Sequence, residues 1–252
     1  PDHLERHQTL TNYIKAKFKL IENQTYNDFT FLNIKDKLIK KRLKKTKIIS
    51  KLIRVDPKIN SNILNEINNP YFMSESNKEN LSFAIEILDK INVKKKKLIK
   101  TLTTFNGLKY RQEIIYRSRN LTIINDSKAT SYSSSVSVLK SLSNVYWIVG
   151  GLAKKGDKFS LSKKKCKTFK AYIFGKNKNI FNKDLKNFMK CQNFSELKNL
   201  IKKVFLDIKK EKNKKKIILF SPAAASFDNF NNFEDRGKYF NNLIEKLINV
   251  KQ

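Results

Sequence analysis

From residue 8 to 23 apolar side chains recur mostly three or four apart, with Leu10, Tyr13, Ile14, Ala16, Phe18 and Ile21 forming the stripe of an amphipathic helix. Phe29 to Leu32 then predicts a short strand. Between Lys35 and Lys51 the chain is Lys, Ile and Leu without Gly or Pro, and Asn-rich turns are expected around Asn60, Asn68 and Pro70. Periodicity returns from Lys78 to Ile91, where Leu81, Ala84, Ile85 and Leu88 share one helical face. A shorter helix is predicted from Lys94 to near Thr104.

Beyond Gly107 the pattern alternates. Apolar runs at Leu121 to Ile124, Val145 to Val149, Tyr172 to Phe174 and Ile217 to Phe220 predict strands. Helices are predicted from Ser134 to Leu142, Phe194 to Phe205 and Phe233 to Ile248. Strands alternating with helices imply an α/β fold, here a Rossmann-like, mostly parallel sheet covered on both faces. The change of pattern puts a domain boundary at residues 106 and 107, dividing the chain into 1–106 and 107–252.

Composition narrows the function classes. The chain of 252 residues carries 54 Lys and Arg against 22 Asp and Glu, a net charge of +32. Such a balance invites a polyanion partner. Lysine dominates it, and the abundance of Asn and Ile fits a compositional bias spread over solvated surface. We therefore expect no nucleic-acid site. Two distant cysteines, Cys166 and Cys191, exclude a disulfide framework and a Cys-rich zinc site. No apolar run approaches the roughly 18 residues of a spanning helix, and nothing resembles a signal peptide. A cytoplasmic monomer without membrane partners is expected. The absent Met start raises the expectation that an upstream portion is missing.

In an open parallel sheet ligands bind outside the carboxyl ends of the strands. Three strands here run into unusual polar sequences: Asn125-Asp126-Ser127-Lys128-Ala129-Thr130, Gly150-Gly151-Leu152-Ala153-Lys154, and Ser221-Pro222-Ala223-Ala224-Ala225-Ser226. Together they supply a carboxylate, two lysines, hydroxyls and a Gly-Gly turn where backbone can approach a ligand, which suits phosphate and carboxylate groups. Singly, each also reads as an ordinary turn or helix cap.

These three blocks, with Asn232-Phe233-Glu234-Asp235-Arg236-Gly237, resemble the C-terminal domain of the D-glutamate-adding members of the Mur ligase family, in order and spacing. Upstream, Asp2-His3-Leu4-Glu5-Arg6-His7, Tyr13 to Lys17, Asn77 to Asn80 and Phe105 to Arg111 resemble the family's central ATPase domain, whereas residues 33 to 70 match poorly. The sequences of the diaminopimelate-, lysine- and alanine-adding members are absent. The resemblance implies that residues 1–106 are the later part of a central ATP-binding domain and 107–252 a domain binding D-glutamate and part of the nucleotide.

It further implies a bacterial, ATP- and magnesium-dependent ligase of peptidoglycan precursor synthesis. Its substrates would be UDP-N-acetylmuramoyl-L-alanine and D-glutamate, and it would act through an acyl phosphate. Carried over by position, His3 matches a magnesium ligand and Lys17 a lysine that is carbamylated to help hold the metal. Asn77 and Asn80 match adenine contacts, Arg111 a phosphate contact and Asp126 a ribose contact. Lys128 would lie near the reacting groups. Thr130, Lys154, Ser226, Phe227 and Phe233 match the D-glutamate pocket, with Lys154 on a carboxylate.

Ser76, Ala153 and Ala224 depart from residues common in the family and bear on fine specificity. A larger departure is that the six glycines build no Gly-x-x-Gly-Lys-[Ser/Thr] phosphate loop. The expectation is an incomplete, inactive piece of such a ligase. The competing readings are another Mur- or folylpolyglutamate-type amide ligase and a non-catalytic basic module. The latter predicts steeply salt-dependent polyanion binding.

Overall fold

The computed structural model describes residues 4–58, 61–211 and 215–249. The chain divides into two compact units, the first reaching Thr104 and the second running from Phe105, with Met73–Glu75 grouped with the second.

In the first unit the helix Leu10–Glu22 starts where the Thr9 hydroxyl accepts the Asn12 N–H at 3.1 Å, and it buries Phe18 and Ile21. Strands β1 (Phe29–Asn33) and β2 (Lys51–Val55) pair in parallel, Phe29 opposite Lys51. Helix Lys37–Leu43 lies between them in sequence, capped by Asp36, whose carboxylate accepts the Leu38 and Ile39 amides at 2.8 and 2.9 Å. None of its residues is fully buried; Ile39 and Leu43, one turn apart, are half-buried, and such a short stripe amid lysines gives little periodic signal. Of the turns expected here, Asn60 lies outside the described residues and Asn68, at φ +43°, makes its turn directly after a further helix, Ser61–Ile67, that the asparagines had concealed. Tertiary packing overrides the asparagines there: buried Ile67, Phe72 and Leu81 form a small core with Ile63, Leu64, Ile85, Ile99 and Leu102. Helices Glu75–Lys90 and Lys95–Thr103 supply the last residues of that core.

The second unit is a six-stranded sheet. In sequence order its strands are β3 (Glu113–Arg117), β4 (Leu121–Asn125), β5 (Val145–Gly150), β6 (Lys170–Phe174), β7 (Lys190–Asn193) and β8 (Lys216–Phe220), and in space they lie β3-β4-β8-β5-β6-β7. All neighbouring pairs are parallel except β3 with β4. Neither edge strand was among those expected: β3 carries the short apolar run Ile114-Ile115-Tyr116, and β7 is Lys-Cys-Gln-Asn with no fully buried position.

Alternation along the central strands sends side chains to two cores. On one face Val145, Trp147, Val149, Ile173 and Leu219 pack with Val136 and Leu139 of helix Tyr132–Leu139 and with Phe181 and Leu185 of helix Lys178–Leu185. On the other, Tyr146, Ile148, Tyr172 and Phe220 meet Leu200, Ile201 and Val204 of helix Leu197–Lys210, and Phe240 and Ile244 of helix Phe233–Asn249. The Phe220 and Phe240 rings stack with centroids 4.3 Å apart. Each such buried side chain contributes about 1.5–3 kcal/mol. Both sheet faces are thereby closed, which leaves the strand ends as the surface open to chemistry.

Candidate functional site

The strand order makes β4, β8 and β5 neighbours, so the three polar sequences that follow them emerge side by side. Backbone hydrogen bonds stitch them together. The Asp126 amide donates to the Phe220 carbonyl at 2.7 Å and the Gly150 amide to the Pro222 carbonyl at 2.9 Å, and Leu152 and Ala225 exchange two bonds of 3.0 Å. The last pair holds the segments carrying Lys154 and Ser226 against each other.

The double glycine is a steric requirement. Gly150 has φ +134°, and a Cβ there would lie 1.9 Å from the Phe174 carbonyl oxygen; Gly151 has φ +133°, with a Cβ 2.6 Å from the Ala225 oxygen. Only a residue without a side chain lets these turns approach so closely.

One residue not singled out from the sequence organises the cluster. Arg236, on the first turns of helix Phe233–Asn249, is fully buried. Its Nε donates to the Ser127 hydroxyl at 3.1 Å, its Nη2 to the Ser127 carbonyl at 2.8 Å and its Nη1 to the Ala224 carbonyl at 3.0 Å. One guanidinium fork thus joins the turn after β4 to the turn after β8. Burial lowers its pKa to about 10, which still leaves it charged at neutral pH. Asn125 does similar work, donating to the Gly237 carbonyl at 2.9 Å and the Asn241 side chain at 2.6 Å. The signal available beforehand was a basic residue within the helix-opening sequence that follows the third polar block.

Asp126 is buried, accepting the Ser221 hydroxyl at 2.9 Å and the Gln112 amide at 3.2 Å. Loss of hydration raises its pKa to about 7, against the opposing pull of Ser221, Gln112, Arg111 and Arg236. The turn carrying Arg111 is folded onto the same strand end, since the Lys128 amide donates to the Tyr110 carbonyl at 3.0 Å. Lys128 itself is exposed, its Nζ 4.0 Å from the centroid of the Phe233 ring, a cation–π contact between two residues expected in the site. Thr130 and Lys154 are half-buried, Ser226 is buried, and Phe227 is 71% exposed. The strand ends therefore gather Arg111, Asp126, Lys128, Thr130, Lys154, Ser226, Phe227 and Phe233 in one unit.

The remaining expected residues belong to the first unit. Asn77 and Asn80 lie one helical turn apart; Asn77 is buried and gives its side-chain N–H to the Tyr71 carbonyl at 2.7 Å, while Asn80 is exposed. Lys17 is exposed, its Nζ 5.6 Å from the Tyr13 ring centroid, a contact suited to an ammonium group. His3 lies outside the described residues. Among the described residues no three His, Cys, Asp or Glu side chains form a metal-holding group. An unmodified Lys17 ammonium would repel a magnesium ion, so a metal role for this residue requires its carbamate.

Residues 1–95 match the Mur ligase middle domain. The chain is 33% identical over 266 residues to UDP-N-acetylmuramoylalanine–D-glutamate ligase of Rickettsia felis, covering 98% of this chain and 59% of that protein. It is 32% identical over 263 residues to the same ligase of a Wolbachia strain from Brugia malayi, covering 98% of this chain and 52% of that one. The chain thus spans a little over half the length of the curated relatives it matches. Among solved structures, MurF ligase of Thermotoga maritima in complex with ADP is 12% identical with a TM-score of 0.59, covering 97% of this chain and 60% of that one, a likeness of fold.

Proposed function

We propose that this chain, which belongs to the Mur ligase family, supplies the glutamate-binding domain and part of the nucleotide-binding surface of a cytoplasmic ligase. The reaction is the ATP-dependent joining of D-glutamate to UDP-N-acetylmuramoyl-L-alanine in peptidoglycan precursor synthesis. The observation that carries the reading is the convergence of the three polar strand ends at β4, β8 and β5 in a chain similar over 98% of its length to ligases of that name.

In this reading a carboxylate oxygen of UDP-N-acetylmuramoyl-L-alanine attacks the γ-phosphorus of ATP, and ADP leaves. The D-glutamate amine then attacks the acyl carbon, loses a proton, and phosphate departs. Negative charge builds on the transferring group and on the tetrahedral oxygens. Cations already in place stabilise that charge without reorganising. Lys128, steadied over Phe233, is the cation assigned to it, and Arg111 is assigned to the phosphates.

Asp126 is assigned to the ribose. Its burial and raised pKa let it pass between hydrogen-bond acceptor and donor close to neutral pH. Lys154 is assigned a carboxylate of D-glutamate, with Thr130, Ser226, Phe227 and Phe233 completing the pocket. Asn77 and Asn80 are assigned the adenine edge. ATP binding is in keeping with the ADP complex of the Thermotoga MurF ligase. A magnesium ion, held by His3 and a carbamylated Lys17, would supply further charge neutralisation on the phosphates.

The chain has no Gly-x-x-Gly-Lys-[Ser/Thr] sequence to cradle phosphates, so on its own it is proposed to be inactive. The test is phosphate release from ATP and UDP-N-acetylmuramoyl-L-alanine. It is measured with and without D-glutamate, on this chain and on the protein extended upstream to its first Met. Release by the extended protein alone, and with D-glutamate alone among amino acids, is expected. Turnover by the 252-residue chain overturns the inactivity, and preference for another amino acid overturns the specificity.

A further inference from the structure

A fourth strand end meets the cluster that the polar sequences form. After β6 the chain turns through Gly175, Lys176 and Asn177 before helix Lys178–Leu185 begins. Gly175 has φ +86°, and a Cβ on it would lie 2.7 Å from the Gly151 nitrogen and 2.7 Å from the Asp228 carboxylate. The Lys176 amide donates to that carboxylate at 2.9 Å. This turn is packed against the Gly-Gly segment as closely as backbone allows.

Asn177 occupies the position just before its helix, where an Asn side chain ordinarily accepts one of the helix's unpaired amides. It makes no such cap here. Its Oδ1 instead accepts the Ala153 amide at 2.9 Å, and its own amide donates to the Gly151 carbonyl at 3.2 Å. The side chain thus forgoes a local stabilisation of about 0.5–2 kcal/mol and holds the residue next to Lys154. The far side of the same loop is also anchored. The Asp157 amide donates to the Lys154 carbonyl at 3.3 Å, and the Asp157 carboxylate accepts the Tyr132 amide at 2.5 Å. Tyr132 is the first residue of helix Tyr132–Leu139, where the helix favours negative charge. Lys154 therefore sits between two fixed points drawn from separate elements.

We propose that Asn177 is a positioning residue for Lys154 and so sets affinity for the amino-acid substrate, a carboxylate-bearing amine, with Asp157 as the second anchor. The inference rests on the assignment of Lys154 to the D-glutamate carboxylate. A lysine is a flexible point charge, and its selectivity comes from where its backbone is held. Asn177→Ala removes the Ala153 anchor; Asn177→Asp keeps an acceptor at that place.

The experiment measures steady-state kinetics on the protein extended upstream to its first Met, and hydrogen exchange at the Ala153 amide in the same variants. Asn177→Ala is expected to raise KM for D-glutamate about tenfold or more, with KM for ATP unchanged and kcat within about threefold. Exchange at Ala153 should quicken, and Asn177→Asp should restore both. An unchanged KM for D-glutamate in Asn177→Ala overturns the inference. If Lys154→Ala nonetheless raises that KM, the assignment of Lys154 survives. Parallel rises in both KM values with a lowered melting temperature mark a purely structural role and also overturn the inference. A wild-type protein that does not use D-glutamate overturns the ligase reading and this inference with it.

Discussion

The Arg236 guanidinium lies 2.8 Å from the Ser127 carbonyl and 3.1 Å from the Ser127 hydroxyl, in the interior of the second unit, and its third bond reaches Ala224. Replacement by Met would leave two buried carbonyls without that donor. Each such loss costs about 1–3 kcal/mol. A fall in melting temperature of about 4 °C or more is expected, at roughly 2–4 °C per kcal/mol for a chain of this size. Arg236→Lys keeps the charge but cannot span the three acceptors, and it should fall between Met and wild type. Thermal unfolding of the three proteins checks the order; a Met variant as stable as wild type would contradict the clasp.

Gly150 offers a second test of the strand-end geometry. Ala at this position would face both φ +134° and a carbonyl oxygen 1.9 Å from its Cβ. Either β5 separates from β6 at their ends or the Gly-Gly turn moves. The conformational penalty alone is about 1–3 kcal/mol. Urea unfolding of Gly150→Ala should show at least that loss, whereas Gly156→Ala, whose Cβ meets nothing within 4 Å, should lose less despite its φ of +79°.

How far the sequence foretold this site follows from what each residue must display. The polar sequences after β4, β5 and β8 interrupt apolar runs, so they stand out in one dimension, and strand adjacency brings them together. Arg236 and Asn177 do not stand out. An arginine on an amphipathic helix and an asparagine before a helix are commonplace on a surface, and only the burial of Arg236 and the direction of both residues' bonds mark them. The same physics hid helix Lys37–Leu43, whose lysines are exposed and none of whose residues is fully buried, and strand β7, where Cys191 is the single apolar residue among four. Signals of periodicity require a buried face, and these elements bury little.

Lys128 is the cation assigned to the reacting groups, and the Phe233 ring 4.0 Å beneath its Nζ holds it without neutralising it. Lys128→Met should lower kcat in the upstream-extended protein by about 10²–10³, the scale for losing one charge-stabilising group, with little change in stability because the side chain is exposed. Phe233→Leu should reproduce a smaller part of the loss. Equal kcat in Lys128→Met and wild type would remove Lys128 from the chemistry.

Asp126 makes stability depend on pH in a direction opposite to most carboxylates. Its pKa is raised by burial from 3.8 to about 7 in the folded protein. Between those values the folded state binds the proton that the unfolded state has released, so stability falls as pH rises. The contribution of this group is complete below pH ~4 and is lost as pH passes through about 7. Asp126→Asn, which cannot titrate, should flatten the decline of melting temperature across that interval. The single tryptophan provides a local reporter. Trp147 Nε1 donates to the Ser221 carbonyl at 2.7 Å, and the Ser221 hydroxyl donates to Asp126 at 2.9 Å. Titration of Asp126 forces the Ser221 hydroxyl to reorganise, and the indole senses it through that carbonyl. Emission of Trp147 should therefore shift with a midpoint near pH 7 in wild type and stay level in Asp126→Asn. A midpoint near 4 would mean that Asp126 is ionised throughout the neutral range, and the donor role assigned to it toward a ribose would fall.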